Sequence, residues 1–196
     1  GNQRRCPENK GKVLQMISCV SLKVILDVFG EENTEKLLSS FSISRDEDVQ
    51  RFIRSLAIAY EKSGNSRTFF FVEEDVRFLG FVSLAMSIIT LPDKISKSRR
   101  KRITGLGRYG APYVSSYLIG QIARFDGVPR EELSGDDMFR DILNLLRESR
   151  NIVGGRTIAI DCKDVMVGYY EKRGFSKLDK TNELNHMIGF FDDVIN

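Results

Sequence analysis

Apolar residues recur along this chain with two different periods, and the switches between them predict its elements. Between residues 44 and 64, Val49, Phe52, Ile53, Leu56, Ala57 and Tyr60 share one helical face. Ser44-Arg45-Asp46-Glu47 reads as the capping box that starts this helix and Gly64 as its stop. Residues 68–72 and 78–85 read as strands joined through the polar turn Glu73-Glu74-Asp75, an antiparallel hairpin. A long irregular connection over 91–116 comes next, then a strand over 117–125 and the turn Asp126-Gly127-Val128-Pro129. Met138, Ile142, Leu145 and Leu146 mark one face of a helix over 135–150, which Gly154-Gly155 breaks. Residues 157–162 form a short apolar run with the length of a buried strand, and 186–191 can close the sheet. The segment 13–29 stays ambiguous: it holds a first strand, for example 20–26, preceded by a helix or by an extra strand. The order predicts a mixed α/β fold, one twisted sheet with helices between its strands.

Length allows one full core, so residues 1–196 read as a single domain in which 1–40 form a segment of uncertain boundaries. Thirty Lys and Arg against 27 Asp and Glu leave a net charge of +3, too mild to name a partner. Charge is instead concentrated in the connection, at Lys94, Lys97, Arg99, Arg100, Lys101, Arg102 and Arg108. Cys6, Cys19 and Cys162 form no C-x-x-C pair and are odd in number, which argues against a zinc site and a disulfide framework and fits a reducing cytoplasm. No metal is expected. The apolar stretch 13–29 contains Lys23 and Asp27 and falls short of a bilayer span, so no membrane association is expected. Residue 1 is glycine, consistent with a trimmed start.

The segment from Asp164 to Phe175 is the most specific. Asp164 reads as an N-cap, Gly174 as a left-handed stop and Phe175 as the residue returning to the core. Tyr169 and Tyr170 diverge by about 100° around the helix, so burying one turns the other sideways into a neighbouring cleft. This segment resembles the last helix of the GNAT acetyltransferase superfamily. In that family a strand leads into a loop Q/R-x-x-G-x-G/A and then a helix whose free amides hold the pyrophosphate of acetyl-CoA. Here the slot is Arg130-Glu131-Glu132-Leu133-Ser134-Gly135, followed by Asp136-Asp137. Arg130 and Gly135 match, Leu133 replaces the first glycine, and four acids crowd the site. The resemblance implies a mostly antiparallel sheet with one parallel strand pair opening a V-shaped cleft. It also implies acetyl-CoA as co-substrate, held by Ile122, Ala123 and Arg124 on the fourth strand and by Arg130, Leu133, Ser134, Gly135 and Asp136 at the helix.

Blocks across residues 41–178 resemble the branch of tRNA-acetylating toxins from toxin–antitoxin modules. They include residues 59–68, Gly80 to Ala85, Ile119 to Arg124, Gly154 to Asp161 and Tyr170 to Phe175. On that resemblance Tyr170 is the general acid that protonates the departing CoA thiolate. Arg99, Arg100, Lys101, Arg102 and Arg108 would engage a tRNA phosphate backbone. No general base stands out, which favours an acceptor α-amine with pKa near 8 over lysine near 10.4. An aminoacyl-tRNA is the implied acceptor; an antitoxin and a homodimer are implied partners. Two other readings stay open: an enzyme for a small amine or a protein N-terminus, and a non-catalytic adaptor with a degenerate CoA loop. Tyr170 also reads as a packing tyrosine, the 130–135 loop as an ordinary helix entry capped by Ser134, and the basic run as a solvated loop. His186, the sole histidine, and Cys162 read as structural.

Overall fold

The computed structural model describes residues 17–74, 76–108 and 110–194, so Cys6 and the start of the 13–29 segment lie outside the described residues, as does Asp75 of the first expected turn. The ambiguous segment resolves into a strand and then a helix: β1 (Ile17–Ser21) runs directly into α1 (Leu22–Phe29). Ser21 makes the switch, its side chain capping the Val24 amide. Gly30, at φ 75, turns the chain into α2 (Glu31–Ser40). The next helical stretch is α3 (Glu47–Arg51), a π-helical segment Phe52–Leu56 and α4 (Ala57–Ser63), ending at left-handed Gly64. Its cap is Asp46, which accepts from Val49, and not the expected Ser44. Ser44 instead gives its amide to Asp126 at 2.8 Å, tying this loop to the turn Asp126-Gly127-Val128-Pro129.

The strands β2 (Arg67–Glu73) and β3 (Arg77–Thr90) form the expected hairpin, with β3 running five residues further than its apolar pattern indicates. The connection is not irregular throughout: its basic run is a helix, α5 (Lys97–Thr104), capped by Ser96. The chain continues through β4 (Tyr113–Arg124), α6 (Gly135–Val153), β5 (Thr157–Cys162), α7 (Asp164–Glu171), β6 (Ser176–Thr181) and β7 (Leu184–Phe190). The seven strands lie in the order β1-β2-β3-β4-β5-β7-β6, and every neighbouring pair is antiparallel except β4–β5. The sequence pattern predicts only one closing strand; the structure has two, because polar β6 folds back on β7.

Period-two alternation sends side chains of the sheet to opposite faces. Phe71, Val82, Tyr117, Ile119, Ile158, Ile160 and Met187 face α6 and α7, where they meet Met138, Phe139, Ile142 and Leu146. Phe70, Val72 and Phe81 face α1–α4 and join Phe41, Phe52 and Phe125. Phe41 stacks on Phe125 at 4.1 Å between ring centroids. Each such buried ring contributes about 1.5–3 kcal/mol of transfer free energy. A third cluster, Leu91, Ile103 and Ile188, seats α5 over β7 on this second face.

The Gly174 stop is where local chemistry and packing meet. Its φ is +88°, and a Cβ there would lie 2.5 Å from the Asp193 main-chain oxygen. Gly174→Ala is expected to combine a left-handed alanine with a backbone clash, costing at least 1–3 kcal/mol. Thermal unfolding should show the loss, at roughly 2–4 °C per kcal/mol for a chain of this size.

Candidate active site

β4 and β5 pair in parallel over Tyr117–Ile158, Leu118–Ala159 and Ile119–Ile160, then part. The cause is local to β4: opposite β3, Ser83 pairs with Gln121 and Leu84 with Ile119, leaving Gly120 as the extra residue of a bulge. Beyond it β4 stays with β3 as far as Arg124, while β5 stays with β7 as far as Cys162. Across the resulting V, each strand presents main-chain groups with no strand partner. Ile122, Ala123 and Arg124 lie on the splayed part of β4, with Ile122 packed toward the α6–α7 core and Ala123 toward the α1–α4 core.

The start of α6 stands beside this opening. Ser134 caps it, accepting from the Asp137 amide at 3.0 Å and donating to the Asp137 carboxylate at 2.6 Å. That hydrogen bond is the main cause of the depressed Asp137 pKa. The amides of Ser134, Gly135 and Asp136 have no hydrogen-bond partner among the described residues. Leu133, the residue in place of the family glycine, is fully buried in the core and so leaves the loop surface open. The crowding acids are mostly engaged elsewhere: Asp136 pairs with Arg173, Asp137 with Arg140, and Glu132 with Arg77. Meanwhile cations gather. Arg124 donates to the Leu133 carbonyl, and its pKa is lowered by desolvation and then by repulsion from Arg45 and exposed Arg130. Like charges held this close, next to free amides, fit a polyanion.

Of the tyrosine pair, Tyr170 is the buried one, 6 % exposed, enclosed by Phe139, Phe175 and Tyr169. Burial, then the neighbouring Tyr169 and Cys162, push its pKa far above the usual phenol range. Its hydroxyl has no hydrogen-bond partner among the described residues. Tyr169 turns the other way, to the start of α6, where its hydroxyl lies 3.0 Å from the position a Cβ on Gly135 would take. Arg173 covers the Tyr169 ring at 3.5 Å. Gly135 is therefore needed for the close approach of α7. Asp164 is the first residue of α7 and not its cap; it is held by Asn185 and Lys180. The sequence predicts one buried and one sideways tyrosine without saying which is which, and it misses Arg173 as part of this corner, although Arg173 lies inside the segment that carries the resemblance.

On the opposite face of the sheet, Asp161 is the first β5 residue past the last β4–β5 pair, and it contacts His186 of β7. Lys163 reaches across the opening to Asp46 at the head of α3, 3.0 Å away, joining the two halves of the sheet. A cavity of about 420 Å³ lies elsewhere, among α1, α4 and β2. Its charges are mutually paired, Lys23 with Asp27, Lys62 with Glu31 and Arg67 with Glu61.

The basic run is largely committed to holding α5 in place. Arg99 donates to Ser176 and to the Lys177 carbonyl, Arg100 to the Ala111 and Pro92 carbonyls. Arg102 pairs with Asp193 and lies over the Phe190 ring at 4.2 Å. Lys94, Lys97, Lys101 and Arg108 are exposed. Among the described residues, no cluster of His, Cys, Asp and Glu could hold a metal ion, and no helix is long and apolar enough to cross a membrane.

No protein-family model and no curated protein matches this sequence. Solved structures do match its shape. AtaT complexed with acetyl-methionyl-tRNAfMet superposes with a TM-score of 0.66 at 16% identity, over 90% of this chain and 96% of that one. A tyrosine-to-phenylalanine mutant of KacT gives 0.67 at 16% identity, over 91% and 96%. AtaTR bound with AcCoA gives 0.64 at 16% identity, over 90% and 94%. With its bulged β4, single parallel pair and helix entering beside the splay, the chain has the GNAT fold, similar over about nine-tenths of its length to AtaT and KacT.

Proposed function

We propose that the chain is an acetyl-CoA-dependent N-acetyltransferase that passes acetyl directly to an acceptor amine, with the α-amine of an aminoacyl-tRNA as that acceptor. The observation that carries the reading is the splay at Gly120, flanked by free amides at the head of α6 and by Tyr170 on α7. Acetyl-CoA, when bound, supplies an activated thioester and a thiolate leaving group. The amides of Ser134, Gly135 and Asp136, with Arg124 and Arg130 beside them, hold its pyrophosphate. Main-chain groups of β4 at Ile122, Ala123 and Arg124 align the pantetheine arm and polarise the carbonyl, so that positioning does most of the work.

Tyr170 donates a hydrogen bond from its hydroxyl to the departing sulfur. Its raised pKa keeps it protonated throughout any assay range. The same shift makes a free tyrosinate costly, so its contribution is a hydrogen bond to the developing thiolate more than a completed proton transfer. An α-amine suits this site, since a fraction of it is unprotonated near neutral pH and the proton it sheds on attack passes to water, with no general base needed. Support for the acceptor comes from AtaT, seen with acetyl-methionyl-tRNAfMet. Support for an antitoxin partner comes from an AtaT mutant bound to the C-terminus of the antitoxin AtaR.

Acetyl-CoA at 100 times its dissociation constant should stabilise the protein by about 2.7 kcal/mol, in wild type and in Tyr170→Phe alike. Acetyl transfer should fall roughly 10²–10⁴-fold in Tyr170→Phe. Absence of a thermal shift with millimolar acetyl-CoA would leave the fold as a non-catalytic adaptor. For the tRNA acceptor, replacing Lys94, Lys97 and Arg108 by Gln should raise KM for charged tRNA and flatten its salt dependence, with transfer to a small amine unchanged. Equal salt slopes for the variant and wild type would exclude phosphate contacts by these residues.

A further inference from the structure

Asp161 occupies a position that the transfer chemistry described above leaves without a role. Strand alternation turns it away from Ile160 and the α6–α7 core, onto the face opposite Tyr170, one row beyond the last β4–β5 pair. Oδ1 of Asp161 lies 2.5 Å from His186 Nδ1. An ionised carboxylate only accepts hydrogen bonds, so Nδ1 is the donor in this contact. Nε2 is 3.9 Å from Oδ1 of Asp179 on β6, beyond hydrogen-bond reach, and that buried oxygen has no hydrogen-bond partner. The imidazole thus lies between two carboxylates, held by one of them. The second oxygen of Asp161, Oδ2, has no partner among the described residues.

We propose that Asp161 docks the ammonium of the acceptor at the mouth of the V, and that His186 sets how much negative charge Asp161 offers to it. This rests on the acetyltransferase reading above and names the group that receives its second substrate. With His186 neutral, Asp161 keeps its full charge, and Oδ2 accepts a hydrogen bond from the acceptor nitrogen. With His186 protonated, the imidazolium neutralises the same carboxylate and the incoming cation loses its attraction. From the surrounding elements, the charged groups beside this pair are Asp179 and Lys177 on β6, Lys163 with its partner Asp46, the Asp164–Lys180 pair, and Arg99 of α5, bonded to the Lys177 carbonyl. Asp161 and Asp179 are the two that contact the ring. Docking is favoured for amines that arrive as cations, an α-ammonium above all, which gives its proton to water before the nitrogen attacks the thioester.

The chain contains a single histidine, so one imidazole signal in a proton NMR titration reports on this site. The probes are amino-acid amides carrying each proteinogenic side chain, which present an α-ammonium without a carboxylate. At least one of them should move the His186 signal, since an ammonium docked on Asp161 shares the carboxylate that the imidazole contacts. Asp161→Asn should abolish that response and raise the acceptor KM roughly ten- to a hundredfold, leaving acetyl-CoA binding and Tm as in wild type. His186→Gln, which retains a donor to Asp161, should keep the acceptor KM measured at high pH and lose its rise at low pH. An unmoved imidazole signal with every amide, or an acceptor KM unchanged in Asp161→Asn, would overturn the proposal. If the amides move the signal yet wild type transfers no acetyl to any of them or to charged tRNA, the docking site stands and the acetyltransferase reading falls.

Discussion

The arrangement of this molecule depends on the point where β4 and β5 stop pairing. A parallel pair that continued past Ile119 and Ile160 would be a closed sheet with two separate faces. The bulge at Gly120 diverts β4 while β3 still holds it, and the hydrogen-bonding groups that would have closed the ladder are left facing a gap. Everything argued for the site follows from that gap. It places the free amides of α6 on one side, Tyr170 beneath, and Asp161 on the face opposite. Closure at the other end comes from Tyr117, whose hydroxyl donates to the Gly154 carbonyl at 2.7 Å, so the V has a fixed vertex.

Arginine performs a second, less visible task. Guanidinium groups repeatedly reach main-chain carbonyls in loops and at element ends: Arg54 to Phe41, Arg67 to Glu61, Arg99 to Lys177, Arg100 to Ala111 and Pro92, Arg124 to Leu133, Arg173 to Tyr169. Carbonyls at such places commonly lack a full set of local partners, although Pro92 also accepts from Ile95 and Glu61 from Gly64, and a planar group with five donors can serve two of them at once. A basic sequence run is therefore an ambiguous sign. In α5 it reports mainly how a short, polar helix is fastened to β6 and β7, and the proposed phosphate contact draws instead on exposed Lys94, Lys97 and Arg108.

This division explains what could be read in the amino-acid order and what could not. Strands β2 to β4 and helix α6 carry apolar periodicity, because each buries one side against a core, β5 is a short apolar run and α7 is marked by the residues at its ends, so these elements were legible, whereas the splay was expected only from the resemblance to the GNAT superfamily. α5 was not: Ile103 is its one large buried apolar residue, and its stabilisation comes from guanidinium contacts distant in sequence. β6 was also hidden, an edge strand of mixed polarity whose turn to β7 puts Asn182 and Glu183 at positive φ without a glycine. At the site, Leu133 looked like a defect in the phosphate loop, since sequence cannot tell an inward side chain from an outward one. Asp161 stood at the end of an apolar run as an ordinary strand terminus, and only the pairing of β5 with β7 brings His186 to it.

The bridge from Lys163 to Asp46 has a kinetic meaning. It is a single contact between partly exposed groups, and such pairs contribute at most about 1 kcal/mol. A clasp that weak, across the place where β4 and β5 part, would open for an appreciable fraction of the time and reclose without rearranging either half. A bulky second substrate would then meet no slow gate on entry. The breathing of the mouth would instead quicken with ionic strength, because the screening length in physiological salt is only about 8 Å.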